Sequence, residues 1–197
     1  MKKLLLNNFK YFILIAVIST LFWCFLFNII TAPKDYEKME IFITAHSIKK
    51  DDLYDKIYTS ELKEIQINSC SENDDYYGVS LETLGIISSD ILIVKKELVL
   101  TDGATNSFIE LDKDYLRNYN INLEDFEVIT VDNKVHAIVV YDKEKNINLL
   151  GDYIYYADDS AVYCIVLNNI SSHIGKYSYK EKTTNIAFEM LNKLLYK

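Results

Sequence analysis

SSDILIV, Ser88 to Val94, decides the fold: past its polar opening it is a run of branched apolar residues with no polar alternation. That is the pattern of a strand buried on both faces, so it is expected at the centre of a sheet. The neighbouring segments suit that sheet. EIFITA, Glu40 to Ala45, is β-branched and aromatic and reads as the first strand. From Asp51, the residues Leu53, Tyr54, Ile57 and Leu62 recur at helical spacing and predict an amphipathic helix to about Leu62, with Ser47 placed as its cap after the first strand. Ile65 and Ile67 alternate with Glu64, Gln66 and Asn68 in a second strand that ends near Cys70. Strands alternating with helices argue for parallel pairing with right-handed crossovers, hence an α/β class.

Between the second strand and the central one, Ser71 to Tyr77 (SENDDYY) is polar and reads as a loop, and Ser80 is placed to cap a short helical turn that ends at Gly85. Thr101, Asp102 and Gly103 signal a turn, and Leu111 to Tyr119 a short helix capped by Asp112. Glu127–Val131 and Val135–Tyr141 then flank Asp132, Asn133 and Lys134, the signature of a β-hairpin. Asp142 to Asn148 is charged and reads as a surface connection. Tyr153–Tyr156 and Ala161–Leu167 are further strands around an Asp158-Asp159-Ser160 turn. Ile186, Ala187, Met190, Leu191, Leu194 and Leu195 form the apolar stripe of a closing helix that must pack on the sheet.

At the other end of the chain, YFILIAVISTLFWCFLFNIIT, Tyr11 to Thr31, contains no charge and is long enough to cross a bilayer as one helix, with Ser19, Thr20 and Asn28 able to bond within it. Lys2, Lys3 and Lys10 precede it, so the positive-inside rule keeps the leader cytoplasmic and puts the domain outside. A cleaved signal peptide fits the same basic start and apolar run. Against it stand the length of the run, the bulky Ile30 before Thr31 and Ala32, and Pro33 just beyond. A lipoprotein reading through Cys24 meets bulky Trp23 before it and apolar residues after it, so Cys24 is read as a packing thiol. The expected organisation is a cytoplasmic leader over 1–10, a transmembrane helix over 11–31, a short linker over 32–39 and one extracytoplasmic α/β domain over 40–197. The lipid bilayer is thus the first expected partner.

The 197 residues carry a net charge of −8, with the positive charge of the leader set apart at the front. An acidic domain repels phosphate backbones, which excludes nucleic acid as a partner. The 5 glycines and 1 proline leave no flexible linker, and the 16 tyrosines read as compositional bias rather than as a binding signature.

The order of parts resembles the extracytoplasmic solute-binding proteins of ABC importers, of the type II periplasmic-binding fold. The phrases that carry the resemblance are EIFITAHS (40–47), YYGVSLETLGIISSDILIVKKELV (76–99), FIELD (108–112) and NNISSHIG (168–175). In that family the chain leaves one lobe, builds a second, and returns to clamp a ligand between them. Here Asp142 to Gly151 alone separates the hairpin from the returning strands, whereas a lobe takes roughly 50 residues or more. The resemblance therefore implies a single lobe, without the clamp.

No G-x-S-x-G, phosphate-binding glycine loop or dinucleotide pattern is present, and no enzymatic activity or cofactor is expected. His46, His136 and His173 are irregularly spaced with no second ligand nearby, so no metal site is expected. The adjacent carboxylates Asp74-Asp75 and Asp158-Asp159 read as solvated turn residues, and SENDD lacks the spaced pattern of a calcium loop. The candidate ligand contacts are His46 and Ser47, just beyond the first strand, and Tyr76, Tyr77 and Gly78, where aromatic faces and hydroxyls suit a sugar or peptide. Three functions are compatible with this pattern: a solute-binding-like accessory or sensory module that recognises a small solute or a transporter component at the carboxyl ends of its strands, a protein-docking scaffold in which that ligand face is now the docking surface, and a cell-envelope hydrolase using an acidic pair. Cys70 and Cys164 are expected as free thiols, because a bridge requires Cα atoms within about 7 Å and the apolar neighbours of Cys164 mark it as a core residue.

Overall fold

The computed structural model describes residues 2–101, 104–174 and 181–196. Two units divide the chain. The first holds the helix α1, Lys2–Thr31, whose stretch Tyr11–Thr31 is apolar enough to span a membrane and contains no buried residue. Two of its hydroxyls are satisfied within the helix: Thr20 Oγ1 donates to the Ala16 carbonyl at 2.9 Å and Thr31 Oγ1 to that of Phe27 at 2.7 Å.

The second unit, Asp35–Lys197, is a mixed α/β domain built on a seven-stranded sheet. After a 3-10 turn at Asp35–Glu37, the chain forms β1 (Lys38–Thr44), β2 (Ser47–Ile48), α2 (Lys50–Ile57) and β3 (Glu64–Cys70). Helix α3 (Tyr77–Ser80) runs on into a π-helical turn at Leu81–Ile86, succeeded by β4 (Ile91–Lys95), α4 (Lys96–Val99), α5 (Ala104–Ser107) and α6 (Lys113–Arg117). A 3-10 turn at Leu123–Asp125 leads to β5 (Val128–Val131), β6 (Lys134–Asp142), β7 (Ile147–Asn148), β8 (Ile154–Tyr155), β9 (Tyr163–Leu167) and α7 (Glu181–Leu195).

The sheet order is β3-β1-β4-β9-β6-β5, with β7 pairing onto β6. β1 pairs parallel with both β3 and β4, as the alternation of strands and helices predicts, and β9 enters antiparallel between β4 and β6. β4 is interior and buried on both faces: Ile91 and Ile93 join the layer of α2 and α7, while Leu92 and Val94 join Phe42, Val99, Phe108 and Cys164 on the other side. The α7 stripe packs into the first layer as expected, with Ala187 and Leu191 fully buried. The hairpin turn at Asp132 and Asn133 has φ of 51° and 63°, the left-handed pair that such a turn demands. Asp112 caps α6, its carboxylate accepting the Tyr115 N–H at 2.8 Å.

Several local expectations are corrected. α2 stops at Ile57 rather than Leu62, because Thr59 and Ser60 are poor helix formers and the Thr59 hydroxyl takes the Glu61 N–H. Ser47 caps nothing; it lies in β2, which makes a separate two-stranded sheet with β8, so Tyr153–Tyr156 is not part of the main sheet. Ser80 is not a cap either, since the helix begins before it and Ser80 has helical geometry. Gly85 does not end that helix but sits within its π turn. A Cβ there would meet the Phe42 ring at 3.3 Å, so the glycine lets the helix approach the sheet. Asp142 to Asn148 is more than a surface connection, for Asn146 turns the chain back at φ 56° to pair β7 with the end of β6. The strand opened by SSDILIV begins at Ile91, and the two serines belong to the preceding helical end. Of the turn expected at Thr101–Gly103, Asp102 and Gly103 lie outside the described residues, as does Gly175 of NNISSHIG.

Cys70 on β3 and Cys164 on β9 are three strand spacings apart, roughly 14 Å, twice what a disulfide spans. Both are free. Burial pushes the Cys164 thiol up to about 12, so it is inert in the folded state. Under non-reducing conditions, iodoacetamide should modify half-buried Cys70 in the native protein and Cys164 only after unfolding, with no reductant needed; peptide mass mapping reads the result.

Candidate functional site

The expected contacts collect at the carboxyl ends of the parallel strands, but not at one point. His46 and Ser47 are exposed and join the two-stranded sheet, where the His46 N–H donates to the Tyr155 carbonyl at 2.9 Å. Tyr76 is 73% exposed, and Gly78 faces open space. Tyr77 reaches the sheet: its hydroxyl shares a 3.1 Å hydrogen bond with Oγ1 of the fully buried Thr44. Burial raises the Tyr77 phenol above its usual range. Thr44 thus links the end of β1 to the start of α3, while the β2 pair faces a different neighbour.

A second group at the same end went unforeseen. Lys95, the last residue of β4, is held by Glu72 and, at 3.1 Å, by Asp158. Burial works against its charge, but these two carboxylates raise its pKa overall. Asp158 is held down to about 2, first by the Ser160 hydroxyl and then by Lys95. Tyr163 is paired with Lys95 across β9 and stacks on Tyr156 at 4.3 Å between ring centroids. Burial, reinforced by Glu72, pushes the Tyr163 phenol up to about 12. The buried Glu72 Oε1 and the hydroxyls of Tyr156 and Tyr163 make no hydrogen bond to any described group. Asp159 is engaged elsewhere, with Lys143 at 3.1 Å, so the adjacent carboxylates Asp158 and Asp159 serve different lysines. Asp74 and Asp75 are both exposed.

The opposite, amino end of the strands holds a cleft of about 360 Å³, lined by Asp35, Lys38, Glu40, Ser88, Asp90 and Ser172 and flanked by Ile87 and Ile170. Its floor is Asp90, 5% exposed, at the residue before β4. One carboxylate oxygen accepts the Glu40 N–H at 2.8 Å and the other the Ser171 hydroxyl at 2.6 Å. Ser171 Oγ in turn accepts the His173 N–H at 3.1 Å, and His173 Nε2 bonds the Lys38 carbonyl at 2.7 Å. Burial pushes the Asp90 carboxyl above the usual range, against the opposing effects of His173 and the hydrogen bonds. The geometry is a strap rather than a nucleophile and base, since the serine hydroxyl gives its proton to the carboxylate and the imidazole Nε2 faces a carbonyl.

The strap joins two of the quoted phrases, SSDILIV and NNISSHIG, which are far apart in the chain. An acidic residue leading an apolar strand was a visible signal that something must meet it. Its partners were not, because Ser171 and His173 stand in a loop without periodicity. The three histidines lie apart: His46 is exposed, His136 is buried on β6, and His173 is in the strap. Among the described residues no group of three or more His, Cys, Asp or Glu is placed to hold a metal ion. Compared with protein-family models, curated proteins and solved structures, the chain matches none.

Replacing Asp90 by alanine strands the Glu40 N–H and the Ser171 hydroxyl in a buried site, which should cost about 2–4 kcal/mol of unfolding free energy in urea titrations. Because the folded state raises the Asp90 pKa, the carboxyl stabilises most below the ordinary carboxylate range and loses that contribution as pH rises through the raised value. The Asp90→Ala penalty should therefore be larger at about pH 4 than at about pH 7.

Proposed function

We propose that the chain is a membrane-anchored extracytoplasmic module of the solute-binding type, one lobe only, that recognises a small solute and catalyses no reaction. The cleft at the amino ends, rather than the contacts expected at the carboxyl ends, carries this reading: it is concave, floored by a buried carboxyl and within the size range of small-ligand sites. The topology supports the resemblance to one periplasmic-binding lobe. β9 slots in antiparallel beside β4 as a returning strand would, and only positions 143–162 lie between β6 and β9, too few for a second lobe. Tyr11–Thr31 supports the bilayer as a partner, with the leader lysines inside and the domain outside.

One observation favours a second reading, a docking surface for a transporter component or another protein. Tyr76, Val79, Leu84 and Ile87 leave an exposed apolar stripe along α3 and its π turn, with exposures of 73, 62, 41 and 58%. Stripes of this kind mark interaction surfaces. His46, Ser47, Tyr77 and Gly78 would border such a contact at the carboxyl ends of the strands.

Topology is read by protease added to wall-stripped intact cells: the domain should be digested while α1 stays protected, and the chain recovered from untreated membranes should have its full mass. A mature N-terminus near Pro33 would make α1 a signal sequence instead. Solute recognition is read by thermal shift of the full-length protein in neutral detergent against a small-metabolite library. At least one compound should stabilise the wild type and lose its effect in Ser172→Trp, which fills the cleft; a wholly silent library would favour the docking reading.

A further inference from the structure

The hydrogen-bonding capacity left in the cleft is one-sided. A serine hydroxyl has one proton to give and two lone pairs to receive with. Ser88 gives its proton to the Thr83 carbonyl at 2.6 Å, Ser172 to that of Asp35 at 3.2 Å, and Ser171 to Asp90 at 2.6 Å. The lone pairs of Ser171 are taken by the N–H groups of His173 and Ile174 at 3.1 and 3.4 Å. Ser88 and Ser172 thus offer a ligand acceptors rather than donors. Asp35 and Glu40 add acceptor oxygens, and the cation Lys38 is already bound to Glu40 at 2.5 Å. Among the lining side chains, a phosphate, sulfate or carboxylate alone would find one donor, Lys38, against several acceptors.

The walls are of another kind. Ile87 and Ile170 flank this acceptor-rich floor and are 58% and 39% exposed, so apolar surface is open beside it. A ligand that satisfies both has several N–H donors, a positive charge and a short apolar body.

We infer that the cleft takes a primary ammonium group carried on a short aliphatic chain, an inference that rests on the solute-binding reading proposed above. The ammonium donates to the Asp35 carboxylate and to the oxygens of Ser88 and Ser172, while the aliphatic part lies against Ile87 and Ile170. Lys38 decides between two sources of that chemistry. A simple amine leaves the Lys38–Glu40 pair intact, whereas a free amino acid sets its carboxylate against Lys38 and its ammonium against the acidic groups.

The test uses full-length protein in neutral detergent with isoleucine methyl labelling, titrated with isoamylamine, L-leucine, isoamyl alcohol and isovalerate. The Ile87 and Ile170 methyl signals should move with isoamylamine or L-leucine, and Asp35→Asn should weaken that binding about tenfold, as loss of a charge-assisted hydrogen bond implies. If L-leucine binds more tightly and Lys38→Met removes its advantage, the source is a free amino acid; if isoamylamine binds at least as well, it is an amine. Equal shifts with isoamyl alcohol or isovalerate would overturn the ammonium assignment but leave the solute reading standing. Silence of both methyls to all four compounds overturns the inference, and the solute reading falls with it only if the metabolite library is silent too.

Discussion

Burial of β4 on both faces is the constraint on which the rest of the domain depends. Ile91, Leu92, Ile93 and Val94 are all fully buried, so the chain must supply an apolar layer to each side. α2 and α7 provide one, and the π-turned helix with α4 and Phe108 the other. Between these layers no charge is tolerated, because an ion there would be desolvated without compensation. Charge is thereby displaced to the two ends of the strand. Asp90 stands immediately before β4 and Lys95 closes it, and each must be met by residues from remote parts of the sequence.

The two ends solve that problem with different physics. Asp90 is met by neutral donors in a nearly dry site, where each hydrogen bond is strong and loss of one partner is costly. Lys95 is met by two carboxylates in a wetter one, its side chain 25% exposed and that of Asp158 41%. Solvent screens such pairs, so they hold their loops weakly. Nearby, the rings of Tyr156 and Tyr163 stack, and the Tyr156 hydroxyl is buried without a hydrogen-bond partner among the described residues, which costs free energy. The amino end of β4 is thus tied by buried hydrogen bonds through Ser171, and the carboxyl end by more exposed ion pairs.

Those differences explain what could be read from the sequence. The parallel pairing of β1 with β3 and β4, the Asp132-Asn133 hairpin, the Asp112 cap and the α7 stripe follow from the alternation of strands and helices and from periodicity and turn chemistry that act within a few residues. The misplaced caps at Ser47 and Ser80 arose where tertiary contacts overrule local preference: β8 captures the first, and the close approach of Gly85 to Phe42 draws the second into a longer helix. The Asp90 strap and the Lys95 cluster were not legible, because their members are joined only by the strand order. β9 must enter between β4 and β6 before Tyr163 faces Lys95, and the loop beyond β9 must then bring Ser171 to Asp90.

In the proposed reading, a lobe without its opposite half binds by one face. An open cleft buries less of a ligand than a closing clamp does, so affinity is modest and release fast. A module of that kind transmits occupancy only if the ligand changes a surface that something else touches. Ile87 provides that link, since it flanks the cleft and also ends the apolar stripe that begins at Tyr76. A solute resting on Ile87 removes apolar surface from the stripe, and a protein covering the stripe removes a wall from the cleft. By linkage each then lowers the affinity of the other by the same factor. Solute recognition and protein docking are in that case two states of one surface, with the π turn at Leu81–Ile86 as the element between them.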